Sequence, residues 1–364
     1  MKVAYIAPIA ENSGYSKAAI GYIRSLLSVG VDVTYRDLPM TPKKGELPED
    51  ILECSKGTLE NVDCIVQHNL PSEFLPKAKV QNIGLFAYET NHFKNTNWKF
   101  HLKLMDKIVV PCHTNMNCVI NTDKALQDKT YILPHALDSE KFTKEYKKLD
   151  LPFTDNTYKF YTIGEFNRRK NYPALITAYL CAFDSYDDVA LIIKTNNNLK
   201  SMIEDIRSGL RRFSTPDRYA KILVISDYLS DLDIDRIHYT CDCFVSSSFA
   251  ESFCIPAAEA LCFGKRSILP LSSSFRDFSF LTSDFVSCRR KPVFGVENCP
   301  KGLYTGDEVW NDVNIDDLAK MFKHRYINRK IPGYTESQLK EIRDEYSYKT
   351  IGNKFKEIIS ATKS

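Results

Sequence analysis

The sequence predicts an α/β protein of two domains, each with a parallel sheet, that face each other across a cleft. Three observations predict this fold class. The chain has 364 residues, more than one ordinary hydrophobic core holds. Short apolar segments alternate with segments of helical periodicity along most of its length, as in parallel sheets with crossover helices. A charged stretch at 143–157, punctuated by Pro152 and Asn156, interrupts the alternation and is typical of a linker.

The first half opens with a β-loop-α-β unit. Val3–Ala7 is apolar and predicts a strand, a polar loop containing Gly14 follows, and Ala18–Leu27 has apolar residues at helical spacing. Gly30 ends this helix, and Val31–Tyr35 predicts the next strand. The other strands expected in this half are Asp63–Gln67, Gln81–Tyr88, Lys107–Pro111 and Tyr131–Leu133.

The alternation restarts after the linker. Strands are expected at Lys159–Ile163, Val189–Lys194, Ile222–Ile225, Cys243–Val245 and Arg266–Leu269. Helices are expected at Pro173–Phe183, Leu199–Arg212, Leu232–Tyr239 and Ala257–Phe263. Three further helices are expected near the C-terminus, at Asp316–Tyr326, Glu336–Tyr346 and Thr350–Thr362.

These elements predict the domain boundaries. We place the first domain at 1–145 and the second at 146–346, and we assign 347–364 to a helix that crosses back to the first domain. The last assignment depends on an apolar stripe formed by Tyr346, Ile351, Phe355, Ile358 and Ile359. Such a stripe must be buried, and the first domain offers the surface.

Composition and charge narrow the function classes. Hydrophobic residues make up 43% and charged residues 26%, as in ordinary globular proteins, and a net charge of +3 does not demand a polyanionic partner. The apolar run at the N-terminus is too short for a signal peptide, and no window holds the roughly 18 apolar residues of a membrane span. We therefore expect a cytoplasmic protein whose eleven cysteines are reduced, with no metal site, since no cysteine grouping has zinc spacing.

The most informative segment, Ser248–Gly264, holds two carboxylates, Glu251 and Glu259, eight positions apart. The strand Cys243–Val245 before it places Glu251 at a carboxyl edge, where open α/β sheets bind ligands. Glu259 lies about one helical turn into the next element and can point at a ribose hydroxyl. The alternative is that Glu251 caps the helix and that Glu259 is a solvated helix residue.

A helix N-terminus is expected between the two carboxylates. Pro256 suits the first turn of a helix, because its missing N–H has no partner there in any case. The amides of Phe253, Cys254 and Ile255 then lie at that N-terminus, which favours a phosphate group. One loop can thus hold sugar, diphosphate and ribose.

Five segments match one family pattern in the same order along the chain. Ser248–Gly264 is similar to S-x-x-E-G-F-G-x-P-x-x-E-A-x-x-x-G, in which several residue types fall at fixed spacing. The weaker matches are Gly14-Tyr15-Ser16, Val110–Asn115, Leu133–Phe142 and Gly164–Asn171. The chain therefore resembles glycosyltransferase family 4, and the resemblance implies the GT-B fold and a retaining glycosyltransferase.

The chain departs from the family pattern where the diphosphate is expected. Two glycines of the motif are replaced by Ser252 and Cys254, and the usual arginine of the phosphate segment is Glu165, whose carboxylate would repel a diphosphate. The positive charge is then expected from Arg168, Arg169 and Lys170. Among them Lys170 keeps the family position.

The resemblance assigns roles to the remaining donor residues. Glu251 would hold hydroxyls of the donor sugar and Glu259 those of the ribose, with Ser248 at the start of the same loop. The base would be contacted from the loop after the preceding strand, by Tyr228 or Leu229, although plain packing of that loop explains these two residues equally well. Gly14 belongs to the glycine-containing loop after the first strand.

The acceptor side is less defined. Relatives often carry a histidine after the strand that ends near Tyr88, and here Glu89 takes the approximate place, with His92 three residues later. Part of the family has a similar Tyr-Glu pair followed by a tryptophan, which Trp98 fits. Either Glu89 or His92 is a candidate catalytic residue, and the alternative for His92 is a surface loop histidine.

The predicted activity is the metal-independent, cofactor-free transfer of a sugar from a nucleoside diphosphate to an acceptor hydroxyl, with retention of configuration. A glycan or glycoconjugate is the expected acceptor. One alternative is a modified base in DNA, which the local basic clusters permit and the modest net charge does not favour. Another alternative is a non-catalytic scaffold that binds a nucleotide sugar, which Glu165 and the replaced glycines support.

Overall fold

A computed structural model describes residues 1–40, 45–213, 215–278, 281, 284–296, 299, 301–331 and 333–361. Thr362, the last residue of the predicted C-terminal helix, lies outside them. The chain forms two compact units: unit 1 is Met1–Ser139, Pro292–Val309 and Arg343–Ser364, and unit 2 is Glu140–Lys291 and Trp310–Ile342. The chain thus passes between the units four times, and the sequence boundary near 145 did not anticipate the segment Pro292–Val309 in unit 1.

Unit 1 contains a six-stranded parallel sheet in the order β2-β1-β3-β4-β5-β6. Its elements in chain order are β1 (Lys2–Ala7), α1 (Gly14–Ser28), β2 (Asp32–Asp37), α2 (Glu49–Cys54), β3 (Cys64–His68), β4 (Gln81–Leu85), α3 (Trp98–Leu104), β5 (Lys107–Val110), α4 (His113–Thr122) and β6 (Thr130–Ile132). Helix α1 shows how the sequence sets an element. The Ser13 hydroxyl accepts from the Ser16 amide at its start, the apolar stripe is buried, and Gly30 follows its end in the left-handed conformation, with φ of 74°.

Unit 2 contains a second six-stranded parallel sheet, in the order β12-β11-β10-β7-β8-β9. Its elements begin with β7 (Tyr158–Ile163), α5 (Tyr172–Ala182), β8 (Val189–Lys194), α6 (Lys200–Leu210), β9 (Lys221–Ile225), α7 (Asp231–Thr240), β10 (Cys243–Val245), α8 (Ile255–Cys262), β11 (Arg266–Pro270) and β12 (Phe285–Val286). The chain continues through β13 (Cys288–Pro292), β14 (Val309–Val313), α9 (Ile315–Ile327), α10 (Glu336–Tyr346) and α11 (Tyr348–Ser360). Two parallel sheets with crossover helices confirm the predicted fold class.

Most strand and helix predictions hold within a few residues, but several need correction, and strand β12 was not predicted. The strand expected at Gln81–Tyr88 ends at Leu85, and the one expected to reach Pro111 ends at Val110. The two-stranded sheet of β13 and β14 was not predicted, because β13 is a mostly exposed, charged segment without period-two alternation. Helices α2, α3 and α4 are short and were also missed.

The C-terminal helix α11 packs on α1 within unit 1, as predicted. All five residues of the predicted stripe are buried: Tyr346 is the last residue of α10, and the other four lie on α11. The Phe355 ring lies 5.7 Å from the ring of Tyr22, edge to face. Gly352 lies so close to the Ser25 carbonyl that a Cβ atom would overlap it. The buried Lys107 ammonium on β5 donates to three carbonyls at the helix end, those of Ile358 (2.5 Å), Ile359 (2.9 Å) and Ala361 (2.6 Å).

The segment Pro292–Val309 supports the loop that follows β4. The Tyr88 hydroxyl donates to the Leu303 carbonyl at 2.8 Å, and Asn95 donates to the buried Glu308 carboxylate at 3.2 Å. The Val309 amide donates to the Asn91 side chain at 2.7 Å. These bonds fix the loop that carries the candidate acceptor residues from both sides. Within the described ranges, no helix has the length and apolar content to cross a membrane.

Candidate functional site

The candidate donor site of unit 2 lies where the order of its strands reverses. Neighbouring strands β7 and β10 lead to helices on opposite sides of this point, so the loops after their carboxyl ends diverge and leave a crevice, where ligands of open α/β sheets bind. The loop after β7 carries Arg169 and Lys170, and the loop after β10 carries Ser248 and Glu251. Topology alone therefore brings together four of the residues that the sequence singled out.

The β7 side of the site presents Lys170 from a tight turn. Residues Arg168–Lys170 form one turn of 3-10 helix, whose start is capped by the Asn167 side chain. Asn171 then takes the left-handed conformation, with φ of 53°, before α5 begins. A Cβ atom on Gly164 would lie 3.2 Å from the Lys170 side chain, so the glycine leaves the space in which the lysine lies.

The β10 side is tied directly to that turn. The Ser247 hydroxyl donates to the carbonyl oxygens of Lys170 (3.1 Å) and Asn171 (2.9 Å), and the Phe249 amide donates to the Arg169 carbonyl at 2.8 Å. The Glu251 amide donates to the Ser273 hydroxyl at 3.2 Å. The two loops thus form one framework, in which buried side chains have little freedom to change direction.

Glu251 is the electrostatic centre of this framework. Its buried carboxylate accepts from the Lys170 ammonium at 2.7 Å and pairs with the Arg169 guanidinium at 2.8 Å. Burial alone would raise the pKa of Glu251, but Arg169 and Lys170, helped by a hydrogen bond to Ser248, lower it to about 2. Two cations against one carboxylate leave one excess positive charge, which suits an anionic ligand.

Helix α8 begins next to this charge cluster, one residue after Cys254. Cys254 takes the left-handed conformation, with φ of 67°, at a position where the family pattern has glycine. Its carbonyl accepts from the amides of Ala257 and Ala258, and burial raises the pKa of its thiol to about 12. Cys254, the residue before the helix, lines a small hollow together with Lys170, Tyr172 and Ser248. The predicted phosphate contacts of Phe253, Cys254 and Ile255 stay a prediction.

Glu259 lies on α8 in a buried cluster of charges, which excludes the alternative of a solvated helix residue. Its carboxylate pairs with the Lys141 ammonium at 2.6 Å, and the same ammonium pairs with Asp235 at 2.9 Å. Burial opposes the charge on Lys141, but the two carboxylates outweigh it and raise the pKa of that ammonium. The buried ring of His238 lies 3.5 Å from the other Glu259 oxygen, and burial lowers the pKa of this histidine. The proposed ribose contact of Glu259 stays a prediction.

Sequence reasoning missed two contributors to this region. Lys141 stands in the quoted Leu133–Phe142 segment, but a pairing with a carboxylate 118 positions away leaves no local signal. The other contributor is the clamp on Phe249, whose ring stacks on Trp310 (centroids 5.6 Å apart) and lies under the Lys291 ammonium at 4.7 Å. This clamp holds the loop between β10 and Glu251 from its outer side.

The loop after β9 carries the two residues proposed to contact a base. Tyr228 is 78% exposed, and Leu229 is half-buried. An exposed aromatic ring is available for stacking on a ligand. Glu165 is exposed on the loop after β7, where its charge weakens the excess positive potential.

The unit 1 candidates lie at the carboxyl edge of the first sheet. Gly14 is the first residue of α1, and Tyr15 next to it donates to the Ala87 carbonyl at 3.0 Å. Burial is the main cause that raises the pKa of Tyr15, and the nearby Glu89 charge adds to it. Glu89 and His92 are both half-buried in the loop after β4, whose base is formed by the buried Trp98 and Tyr88 rings. Neither is assigned a role by geometry alone.

Each of the eleven cysteines is a free thiol. Burial raises the pKa of Cys241 to about 12, so this thiol is protonated at neutral pH. Among the residues that the structure describes, no group of three or more His, Cys, Asp or Glu side chains is arranged to hold a metal ion.

Comparison with known proteins places the fold. No family model matches the chain, and no curated protein matches its sequence. A glycosyltransferase from Rickettsia africae is similar in structure, with a TM-score of 0.67, 13% identity and 99% of each chain covered. Sucrose-phosphate synthase from Thermosynechococcus elongatus gives 0.66 at 12% identity, over 98% of each chain. The fold is GT-B. HepE from Anabaena, solved with UDP-glucose, gives 0.62 at 13% identity over 100% of both chains. Membership of family 4 within the GT-B glycosyltransferases stays a prediction.

Proposed function

We propose that this GT-B protein is a retaining, metal-independent glycosyltransferase that uses a nucleoside-diphosphate sugar. The arrangement of Glu251 with Lys170 and Arg169 carries the proposal. It puts one excess positive charge and a helix N-terminus at the carboxyl edge of a sheet, where a diphosphate needs them. Structural neighbours solved with UDP-glucose support the choice of a nucleotide sugar as the donor.

In the proposed reaction, the bond between the anomeric carbon and the diphosphate oxygen breaks, and the bond between that carbon and the acceptor oxygen forms on the same face of the sugar. The electron pair of the broken bond goes to the diphosphate, and the acceptor hydroxyl loses its proton. Lys170 and Arg169 stabilise the negative charge that grows on the leaving group. Since Glu251 holds both cations by buried ion pairs, they are oriented before the donor arrives.

Glu251 would also hold hydroxyls of the transferred sugar, and Glu259 those of the ribose. A ribose that binds Glu259 must share or replace its contact with Lys141. Lys141 keeps Asp235 as a second partner, so the ammonium is not left with a bare charge when the donor is bound. Tyr228 or Leu229 would contact the base.

On the acceptor side, we propose that Glu89 or His92 orients the hydroxyl of a glycan or glycoconjugate and receives its proton. The two residues share one loop, and the bonds of Asn91 and Asn95 attach that loop to the segment Pro292–Val309. A fixed loop is what positioning an acceptor requires.

The test is release of the nucleoside diphosphate from UDP-, GDP- and ADP-sugars by the purified chain, together with a thermal-shift screen of the same donors. We expect one donor class to raise the melting temperature and to be turned over. Lys170→Ala should lower turnover by about 10²–10³. Lys200→Ala, which removes an exposed lysine elsewhere in unit 2, is the matched control and should retain wild-type turnover.

Excess EDTA should leave turnover unchanged, because side chains and a helix N-terminus supply the positive charge. Loss of activity with EDTA and rescue by Mg²⁺ or Mn²⁺ would contradict metal independence. A donor that shifts the melting temperature without any turnover would instead favour a nucleotide-sugar-binding scaffold. Normal turnover in Lys170→Ala would move the phosphate role to Arg168 or Arg169.

A further inference from the structure

The outer face of α3 and the turn before β4 expose an unusual amount of apolar surface. Phe100 and Leu104, one helical turn apart, are 59% and 57% exposed, and Leu75 on the neighbouring turn is 76% exposed. The turn lies against the helix, since the His101 ring nitrogen Nδ1 is 3.4 Å from the Phe74 carbonyl oxygen. We call these three residues, with the lysines around them, the α3 patch.

The fold presents this patch rigidly. The opposite side of α3 is anchored by Trp98 and Leu102, which are both buried. Leu75 is held through its backbone: its amide donates to the Gln67 side chain at 2.8 Å, and the same side chain donates to its carbonyl at 3.0 Å. Because the backbone that carries these side chains is already ordered in the free protein, a partner that covers them does not have to order it.

Basic residues surround the apolar centre. Lys77 and Lys79 follow Leu75 on the turn and are exposed, and Lys99 and Lys103 lie on the helix. The Lys99 ammonium is 5.1 Å from the centre of the Phe100 ring. The acidic groups beside them are Glu73 and Asp123, and the latter pairs with Lys103 at 2.8 Å. Four lysines against two carboxylates leave the patch positively charged.

We propose that the α3 patch docks on an anionic lipid surface. Apolar side chains that protrude from a basic rim insert at the boundary between head groups and acyl chains, while the lysines remain at the level of the anionic head groups. The long stems of the lysines allow this arrangement. Unit 1 then lies on the membrane surface.

The positive charge of the α3 patch disfavours a second copy of the chain as the partner that covers it. A symmetric dimer through this patch would bring the same positively charged surface of both copies together. The lysines of one copy, among them Lys77, Lys79 and Lys99, would then lie in the same interface as those of its partner. Like charges across an interface oppose association, whereas an anionic surface attracts them.

The experiment is flotation of the purified full chain with vesicles, either of phosphatidylcholine alone or of equal parts of phosphatidylcholine and phosphatidylglycerol. We expect binding to the anionic vesicles, weakened by added salt, and little binding to the neutral ones. The triple variant Leu75→Ser, Phe100→Ser, Leu104→Ser should bind the anionic vesicles at least about tenfold more weakly. All three positions are exposed, so an unchanged melting temperature is the expected check of folding.

The matched control is the double variant Ile327→Ser, Ile331→Ser. These isoleucines are 74% and 56% exposed at the end of α9, also next to basic residues, and their loss should leave vesicle binding unchanged. The proposal is overturned if the wild-type chain does not float with anionic vesicles, or if the triple variant floats as well as wild type. Loss of vesicle binding in the control variant would also overturn it. So would a wild-type dimer that is lost in the triple variant and retained in the control.

Discussion

Cys254 has a backbone conformation that is unfavourable for a residue with a side chain. Its left-handed conformation disfavours any side chain with a Cβ atom by about 1 kcal/mol or more. We therefore expect Cys254→Gly to be more stable than Cys254→Ala, by about 1 kcal/mol, because both variants lose the thiol and only glycine also relieves the backbone. Urea unfolding of the two variants measures the difference.

Cys262, buried near the end of α8, offers the matched control. It has no positive φ, so there the order should reverse, with the alanine variant more stable than the glycine variant by up to about 1 kcal/mol. If alanine is also better at position 254, the left-handed start of α8 does not exist in solution.

Two variants distinguish a role of Glu259 in donor binding from a structural role. Glu259→Gln should weaken donor affinity by about 1.5–3 kcal/mol, since a charged hydrogen bond to a hydroxyl is lost. Asp235→Asn disturbs the same Lys141 pair but leaves the Glu259 carboxylate in place, so it should lower stability and retain donor affinity. Calorimetric titration of both variants tests this. Equal losses of affinity would show that Glu259 acts only by holding Lys141.

At the residue scale, local spacing predicted where a residue lies, whereas long-range pairing could not be predicted. The spacing from Ser248 to Gly264 singled out Glu251, whose role in a donor site stays a prediction, and the strand before it placed that carboxylate at the sheet edge. The same reasoning could not pair Glu259 with Lys141, because nothing near either residue indicates the other. Cys254 was noted as a replaced glycine, and only the backbone shows why a glycine would suit the position.

At the scale of elements, the close packing of α11 on α1 constrains unit 1. Gly352→Ala puts a methyl group into the Ser25 backbone, and such overpacking costs roughly 1–3 kcal/mol. Gly209→Ala is the control, because that glycine lies in helix α6 with open space around its Cα. We expect it to stabilise the protein by up to about 1 kcal/mol. Opposite shifts of the two unfolding midpoints are the expected result, and equal shifts would argue against close packing of α1 on α11.

Elements were predictable where burial imposes a pattern. The stripe from Tyr346 to Ile359 predicted both the final helix and its burial, and the apolar runs predicted the central strands. The β13–β14 pair was missed because its first strand is a run of exposed charged residues, which only tertiary contacts hold extended. The role of Pro292–Val309 in supporting the loop after β4 was missed for the same reason, because Glu308 and Asn95 come together only in the folded unit.

For the whole molecule, buried neutral histidines set the response to acid. Burial lowers the pKa of His135 to about 3 and that of His68 well below its usual value. In the unfolded chain these rings bind a proton near pH 6.5, whereas in the fold they stay neutral. Acidification from pH 6.5 towards 5 therefore favours unfolding, by about 1.4 kcal/mol per pH unit for each such ring.

His135→Gln should flatten this pH dependence by about one proton, because glutamine can keep a hydrogen bond to Tyr22 and does not titrate. Urea unfolding midpoints between pH 5 and 6.5 are the measurement. An unaltered slope in His135→Gln would mean that His135 is protonated in the fold, in conflict with its burial.

At this scale, strand-helix alternation was enough to predict two parallel sheets, because each sheet forms from a continuous stretch of chain. The passages of the chain between units were not predictable beyond the first and the last. The chain leaves unit 2 after Lys291, within β13, and returns to unit 2 at Trp310, within β14. No change of composition marks either passage.

The packing of α11 on α1 also has a consequence for synthesis of the protein. α1 leaves the ribosome before every strand of unit 2, and α11 leaves it after them. The face of α1 around Tyr22 and Ser25 therefore stays uncovered on the nascent chain until α11 has been synthesised. Unit 2 can form its sheet in that interval, since β7–β12 lie between α1 and α11 in the sequence. Any product that terminates before α11 leaves this face of unit 1 exposed, and such a product is a client for chaperones.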